Sequence, residues 1–222
     1  MNLALFDLDL TLLPIDSDHA WGEFMIRVGW ADATAFRAGN DAFYADYRTG
    51  RLDIDAYVAF AASPLRGRNA ADLAGGRERF MREVVAPVLR PEAKALVDSH
   101  RERGDRLAIV TSTNDFVTAP IAAAFAVDAL IATRLERDAD GAPTGRIDGL
   151  PAFREGKVAR VGQWLAASGA GWSDFARVSV YSDSLNDLSL LERATDPVAT
   201  NPSAELEAVA RERGWRILTL FA

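Results

Sequence analysis

Four short apolar runs, each parted from the next by sequence with helical spacing, leave few folds open to this chain. They are residues 2–6 (NLALF), 106–110 (RLAIV), 129–132 (ALIA) and 178–181 (VSVY). Near-continuous apolar runs of this length suit strands buried on both faces. Between them, residues 91–103 open on a proline suited to a first helical turn, carry Ala93, Leu96 and Val97 at helical spacing, and stop at Gly104. Residues 155–167, 187–193 and 204–213 supply later helices in the same way. This alternation predicts an α/β fold, a doubly wound, Rossmann-like parallel sheet.

One stretch breaks the pattern. Residues 16–85 carry amphipathic helical spacing and no convincing strand, directly after the first apolar run. They are expected to form a small helical cap, residues 16–85, on a core made of 1–15 and 86–222. Trp21, Phe24, Trp30, Phe43, Tyr44, Tyr57 and Phe60 all fall here. Most should fill the core of the small bundle, with one or two facing a pocket beneath it. A shorter feature, Asp140-Gly141 between strand-like flanks in residues 134–147, reads as a β-hairpin.

Composition narrows the chemistry. With no cysteine and two histidines, His19 and His100, any metal site must rest on oxygen ligands. A net charge of −7 argues against a nucleic-acid partner, because binding a phosphate backbone needs a basic face. No run is long and apolar enough for a membrane span, and Met1 leads straight into a strand with no signal-peptide pattern. A cytoplasmic protein, monomeric or homodimeric, acting on a small molecule is expected.

The chemistry sits where the apolar runs end. Asp7-Leu8-Asp9-Leu10-Thr11 closes the first run, and alternation in an extended chain points Asp7 and Asp9 to one side. Two carboxylates over one site repel unless a cation or a shared proton relieves them, which suits one nucleophile beside one proton donor. The run at 178–181 likewise leads into Ser182-Asp183-Ser184-Leu185-Asn186-Asp187. Hard oxygen donors gathered at strand ends suit Mg²⁺, which takes one or two carboxylates together with phosphate and water. After the second run, Thr111-Ser112-Thr113 offers hydroxyls and free amides able to hold phosphate oxygens.

Taken in order, these motifs resemble the haloacid dehalogenase superfamily, in its phosphoserine-phosphatase-like branch, over essentially the whole chain. The aspartate pair is Asp7 and Asp9, the strand-end hydroxyl Thr111, the lysine Lys157 in Glu155-Gly156-Lys157, and the acidic pair Asp183 and Asp187. Lys157 is one of only two lysines, Lys94 being the other, in a chain that otherwise uses arginine. The resemblance implies a Mg²⁺-dependent phosphomonoester hydrolase working through an aspartyl phosphate. Asp7 would be the nucleophile, Asp9 the acid and base, Lys157 and Thr111 with Ser112 the holders of the transferring group, and Asp7, Asp9, Asp183 and Asp187 the metal ligands. Asp9 would contribute its backbone carbonyl, and Asp187 either a direct ligand or one through water.

The resemblance also bears on substrate. Asp16 matches an acidic residue that faces the substrate ammonium in phosphoserine phosphatases, but Tyr57-Val58-Ala59-Phe60 offers no counterpart to the cap arginine that binds the carboxylate there. An amine without a carboxylate fits better, and histidinol phosphate is one candidate. Asp16, Glu23 and Trp21, with Phe24 nearby, are expected to form an acidic, aromatic surface for that cation. Phosphoserine phosphatase, a dehalogenase and a non-catalytic binding module are the competing functions. Asp9 argues against dehalogenation, which needs no proton donor.

Overall fold

A computed structural model describes residues 1–221. Six parallel strands form the central sheet: β1 (Asn2–Phe6), β2 (Arg106–Asn114), β3 (Ala129–Thr133), β6 (Arg177–Ser182), β7 (Asp196–Thr200) and β8 (Arg216–Leu218). Their spatial order is β3-β2-β1-β6-β7-β8. The chain runs outward from β1 through β2 to β3, then crosses to β6 on the other side of β1. The strand order therefore reverses at β1, and ligands in open α/β sheets bind outside the carboxyl ends of the strands at such a point.

Alternation along β1 explains its central place. Ala4 and Phe6 face one apolar layer with Val97 of α5 (Pro91–Glu102) and Val117 and Ile121 of α6 (Asp115–Phe125). Leu3 and Leu5 face the other, with Val161 and Leu165 of α7 (Glu155–Ala167), Leu190 and Leu191 of the short α8 (Leu188–Leu191), and Leu206 of α9 (Ala204–Arg213). Both faces are covered, as the unbroken apolar run requires.

Between β1 and α5 stand four helices, α1 (Ser17–Arg27), α2 (Ala33–Arg48), α3 (Ile54–Ala61) and α4 (Ala70–Phe80), with no strand among them. Asp16, Asp32, Asp53 and Asn69 each cap one through a side-chain oxygen. Trp21 and Phe24 of α1 and Phe80 of α4 join the same apolar cluster as α5 and α6, so this insertion packs onto one layer of the core. Close approach of α1 to α2 needs Gly22, because a Cβ there would stand 2.6 Å from the side chain of Asn40. The expected hairpin is β4 (Leu135–Arg137) with β5 (Pro143–Ile147), which packs against α3. Among the described residues no helix is long and apolar enough to cross a membrane.

Two features differ from expectation. Strand β2 runs on to Asn114, so Thr111, Ser112 and Thr113 lie within it rather than in a turn after it. Its register with β3 is irregular between Val110 and Asn114, and this break in the ladder makes the segment look like a loop in sequence. Strands β7 and β8 carried no clear strand signal. Pro197 interrupts one with a residue that cannot donate to a ladder, and the other is a three-residue edge strand.

Candidate active site

Strand β1 delivers Asp7 into a buried setting, where its backbone N–H donates to Tyr181 O at 2.9 Å and so extends the pairing with β6. The chain then turns sharply. Leu10 adopts φ +59°, a left-handed conformation that costs a non-glycine residue about 1–2 kcal/mol, and Asn201 Nδ2 donates to the carbonyls of Leu10 at 3.0 Å and Thr11 at 3.2 Å. That clamp helps hold the turn. It brings Thr11 back over Asp7, where its hydroxyl lies 3.2 Å from Asp7 Oδ2 and 3.2 Å from Asp183 Oδ1, and accepts from Asp183 N at 3.0 Å.

Helix α7 brings in Lys157, whose side chain is 1% exposed. Its Nζ donates to Asp7 Oδ1 at 2.9 Å and to Asp187 Oδ2 at 2.8 Å, and lies 2.7 Å from Asp187 Oδ1. Burial by itself would lower the lysine pKa, but the charges of Asp187 and Asp7 outweigh it and hold the ammonium above its ordinary value. The helix can start this close because residue 156 is glycine: a Cβ there would meet Pro151 O at 2.2 Å. Ser182 donates to Asp187 Oδ2 at 2.7 Å, while Asp187 Oδ1 is buried without a hydrogen-bond partner.

Three carboxylates thus share one lysine. Burial first, then the charge of Asp187, push Asp7 up to about 7 against the opposing pull of Lys157. Asp183 is raised well above its ordinary value by burial and by the charges of Asp7 and Asp187. Asp9 is also pushed up to about 7, by burial and then by the charge of Asp16, against hydrogen bonds from Ser17 N at 2.7 Å and Thr113 Oγ1 at 2.8 Å.

The carboxylate of Asp9 accepts from Ser17 and Thr113, which leaves its backbone carbonyl, the expected ligand there, untouched, and Asp187 Oδ2 accepts from Lys157 and Ser182 while Asp187 Oδ1 is buried without a hydrogen-bond partner. Asp7 and Asp183 are linked through Thr11. Among the described residues no three acidic, histidine or cysteine side chains stand ready as a metal cage. Two hard carboxylates with too little positive charge nonetheless fit Mg²⁺, which binds through one or two carboxylates and keeps its waters.

A cleft of about 490 Å³, counted out to its mouth, opens from Asp7 and Asp9 toward the helical insertion. Ser112 and Thr113 line it on the sheet side, and Asp16, Asp18, Tyr44, Tyr47 and Tyr57 on the helical side. Among the described residues its lining holds no lysine or arginine, and His19 is its one basic side chain. Tyr47, across the cleft lining from Ser112, is pushed well above its ordinary value by burial and then by the charges of Asp7, Asp187 and Asp183. Thr111 is buried beside Ser112 and accepts from Thr113 N at 3.1 Å, so it shapes this segment from behind.

Of the residues expected to meet a substrate cation, Asp16 lines the cleft, and it also accepts from His19 N at 2.8 Å as the cap of α1. Trp21 and Glu23 do not reach it. Trp21 is 1% exposed and packs among Phe24, Phe80 and Phe116 with ring centroids 5.0–5.7 Å away. Glu23 forms a two-pronged ion pair with Arg37 at the surface. Helical geometry is the reason: Glu23 lies about 140° round α1 from Asp18, and the apolar face carrying Trp21 turns inward. Instead the helix offers Asp18, which sequence alone would place as a favourable acid in a first turn. Thr11 and Ser182 are the other residues not foreseen. Thr11 was visible only as the end of the Asp7–Thr11 motif, and Ser182 carried no signal.

Comparison with known proteins follows this geometry closely. The family model for haloacid dehalogenase-like hydrolases matches residues 4–192. A histidinol-phosphatase of Neisseria meningitidis is 44% identical over 217 residues, covering 98% of each chain. A Bordetella pertussis protein of unknown function superposes with a TM-score of 0.93 at 49% identity, over 99% of both chains. A substrate-bound phosphoserine phosphatase superposes with a TM-score of 0.68 at 17% identity, over 98% of this chain and 92% of that one, a likeness of fold.

Proposed function

This chain belongs to the haloacid dehalogenase-like hydrolases, and from that premise we propose that it is a Mg²⁺-dependent phosphatase whose substrate is histidinol phosphate. The observation that carries the choice of substrate is the cleft over Asp7 and Asp9: along its helical wall Asp16, Asp18 and three tyrosines outnumber the one histidine, His19, and among the described residues no lysine or arginine lines it. A substrate carboxylate would enter among like charges and find no partner, at a heavy penalty. An ammonium or imidazole would find both charge and flat surface. Phosphoserine fits this cleft less well for that reason.

In the proposed mechanism Asp7 attacks phosphorus in line and carries the phosphoryl group as an acyl phosphate. Lys157 holds Asp7 Oδ1 at 2.9 Å, orienting the carboxylate and placing positive charge beside the transferring group. Asp9, with a pKa near 7, can give a proton to the departing alkoxide and afterwards take one from the attacking water. Thr113 and Ser17 N hold it in position for both steps. Ser112 and the backbone around Thr111 are the donors nearest the phosphoryl oxygens. Asp7 and Asp183 would hold Mg²⁺, with the main-chain carbonyl of Asp9 available as a third ligand. The chemistry such an ion supplies is neutralisation of charge between the carboxylates and the phosphate dianion. Residues 16–85 serve as the cap over a core of 1–15 and 86–222, joined near the site by Asn186 Nδ2 to Tyr47 O at 3.0 Å and by Arg154 to Gly50 O.

Turnover of histidinol phosphate and phosphoserine by the purified protein, with Mg²⁺ and then with EDTA, tests the proposal. We expect kcat/KM to favour histidinol phosphate by at least about 100-fold, since an unpaired buried charge discriminates at that level. Chelation should remove activity on both. A preference for phosphoserine would reverse the substrate assignment, and full turnover in EDTA would remove the metal.

A further inference from the structure

Asp18 is the acid in the cleft that the chemistry at phosphorus does not use. It is 6% exposed, lies in the first turn of α1 and lines the cleft together with Phe43, Leu52, Ile54 and Tyr57. Its Oδ1 accepts from Asn114 Nδ2 at 3.1 Å, and Tyr57 lies beside it in the cleft wall, close enough to act on its carboxylate. Both groups are neutral. The nearest basic group, His19, has its Nε2 2.9 Å from Asp41. A carboxylate can accept about four hydrogen bonds, so acceptor capacity remains, and among the described residues the carboxylate has no salt bridge.

The bracing is also directional. Asn114 ends strand β2, three residues after Thr111, and caps α6 by accepting from Val117 N at 3.1 Å. Asp18 is therefore fixed to the same strand that presents Ser112 and Thr113, on the side where Tyr57 and Phe43 supply flat walls. Asp16, the cap of α1, lines the same cleft, its Oδ1 accepting from His19 N at 2.8 Å. Two acids thus stand two residues apart on one wall of the cleft, each with its own partners, which matches a substrate with two separate N–H groups rather than one.

We infer that Asp18, braced by Asn114 beside Tyr57, is a specificity-determining residue that receives a ring N–H of an aromatic cation while Asp16 serves the ammonium. The inference rests on the proposal of histidinol phosphate and assigns a residue to its imidazole end. A purely structural role is the alternative: Asp18 would only fasten α1 to the end of β2.

The test compares histidinol phosphate with phosphoethanolamine, an amino-alcohol phosphate without a ring, in the wild type and in Asp18→Asn. Asparagine keeps the shape and one acceptor but loses the charge. The ratio of kcat/KM values should fall by about 30- to 100-fold, chiefly through a raised KM for histidinol phosphate. Tyr57→Phe, which removes the neighbouring hydroxyl, should move the ratio the same way by a smaller factor. A structural role would lower thermal stability and leave the ratio where it was, overturning the inference. Calorimetric binding of histidinol, which has no phosphate, gives a readout independent of turnover. It should bind the wild type and be lost in Asp18→Asn, and equal binding to both, or none to the wild type, overturns the inference. If the wild type binds histidinol but hydrolyses no phosphomonoester, the phosphatase proposal falls and the assignment of Asp18 stands.

Discussion

Replacing Asp7 with asparagine is expected to lower kcat by at least about 10⁴-fold without lowering the melting temperature. The first half follows from chemistry: an amide of the same shape cannot form the acyl phosphate, and residues that act as a unit lose most of their effect when one is removed. The second half follows from charge. Asp7, Asp183 and Asp187 crowd around a single lysine, and Asp7 rises from its ordinary 3.8 to about 7 in the fold, chiefly through burial. A carboxyl that holds its proton more tightly in the folded state costs stability as pH climbs between those two values, and the full cost is present above about 7. Asparagine removes that charge while its oxygen can still accept from Lys157. Thermal denaturation and steady-state kinetics on one preparation check both halves. Retained turnover would remove Asp7 as nucleophile, and a large fall in melting temperature would mean that its charge is needed by Lys157.

The opposite pattern is expected for Lys157→Met, which should damage stability and activity together. Methionine fills similar space in a site 1% exposed, but it leaves Asp7 and Asp187 buried without their cation. Removing one partner from a buried ion pair costs about 3–5 kcal/mol, which in a domain of this size corresponds to roughly 10 °C in melting temperature. Turnover should fall by about 10³-fold, because the charge beside the transferring group is lost. The stability deficit should shrink at pH 5, where the raised pKa of Asp7 lets it take up a proton. A deficit independent of pH would point to packing rather than charge. Together the two variants separate the roles of carboxylate and ammonium in one contact.

Why the sequence disclosed some of this and not the rest has physical reasons. The strands buried on both faces were legible because an apolar run such as NLALF has few other uses, and Asp7 because an acid closing such a run needs a partner. Lys157 stood out through its place among the other motifs, helped by the scarcity of lysine in this chain. Strand β7 was hidden by Pro197, and the extension of β2 by residues Thr111 to Asn114, which read as a polar turn and yet continue the strand with an irregular register. Position on a helix was the harder question. Near Asp18 the sequence offered two acids and an aromatic residue, and only the direction in which α1 packs tells which of them faces the cleft. Burying Trp21 against Phe80 and Phe116 turns Glu23 outward to Arg37, with Asp18 left at the cleft. Thr11 shows a related limit: its place in the motif was evident, but its contact with Asp183 spans 172 residues and depends on the β1–β6 pairing.

Covalent catalysis by Asp7 is the central claim, and the mass of the enzyme during turnover addresses it most directly. The Asp9→Asn protein, mixed with Mg²⁺ and p-nitrophenyl phosphate, has a substrate whose leaving group needs no proton but lacks the base that frees the phosphoryl group. After an acid quench, intact mass and peptide mapping should find one phosphoryl group on the peptide carrying Asp7, together with a burst of nitrophenol of matching size. A burst without any phosphoryl adduct, or an adduct on a residue other than Asp7, would contradict the account.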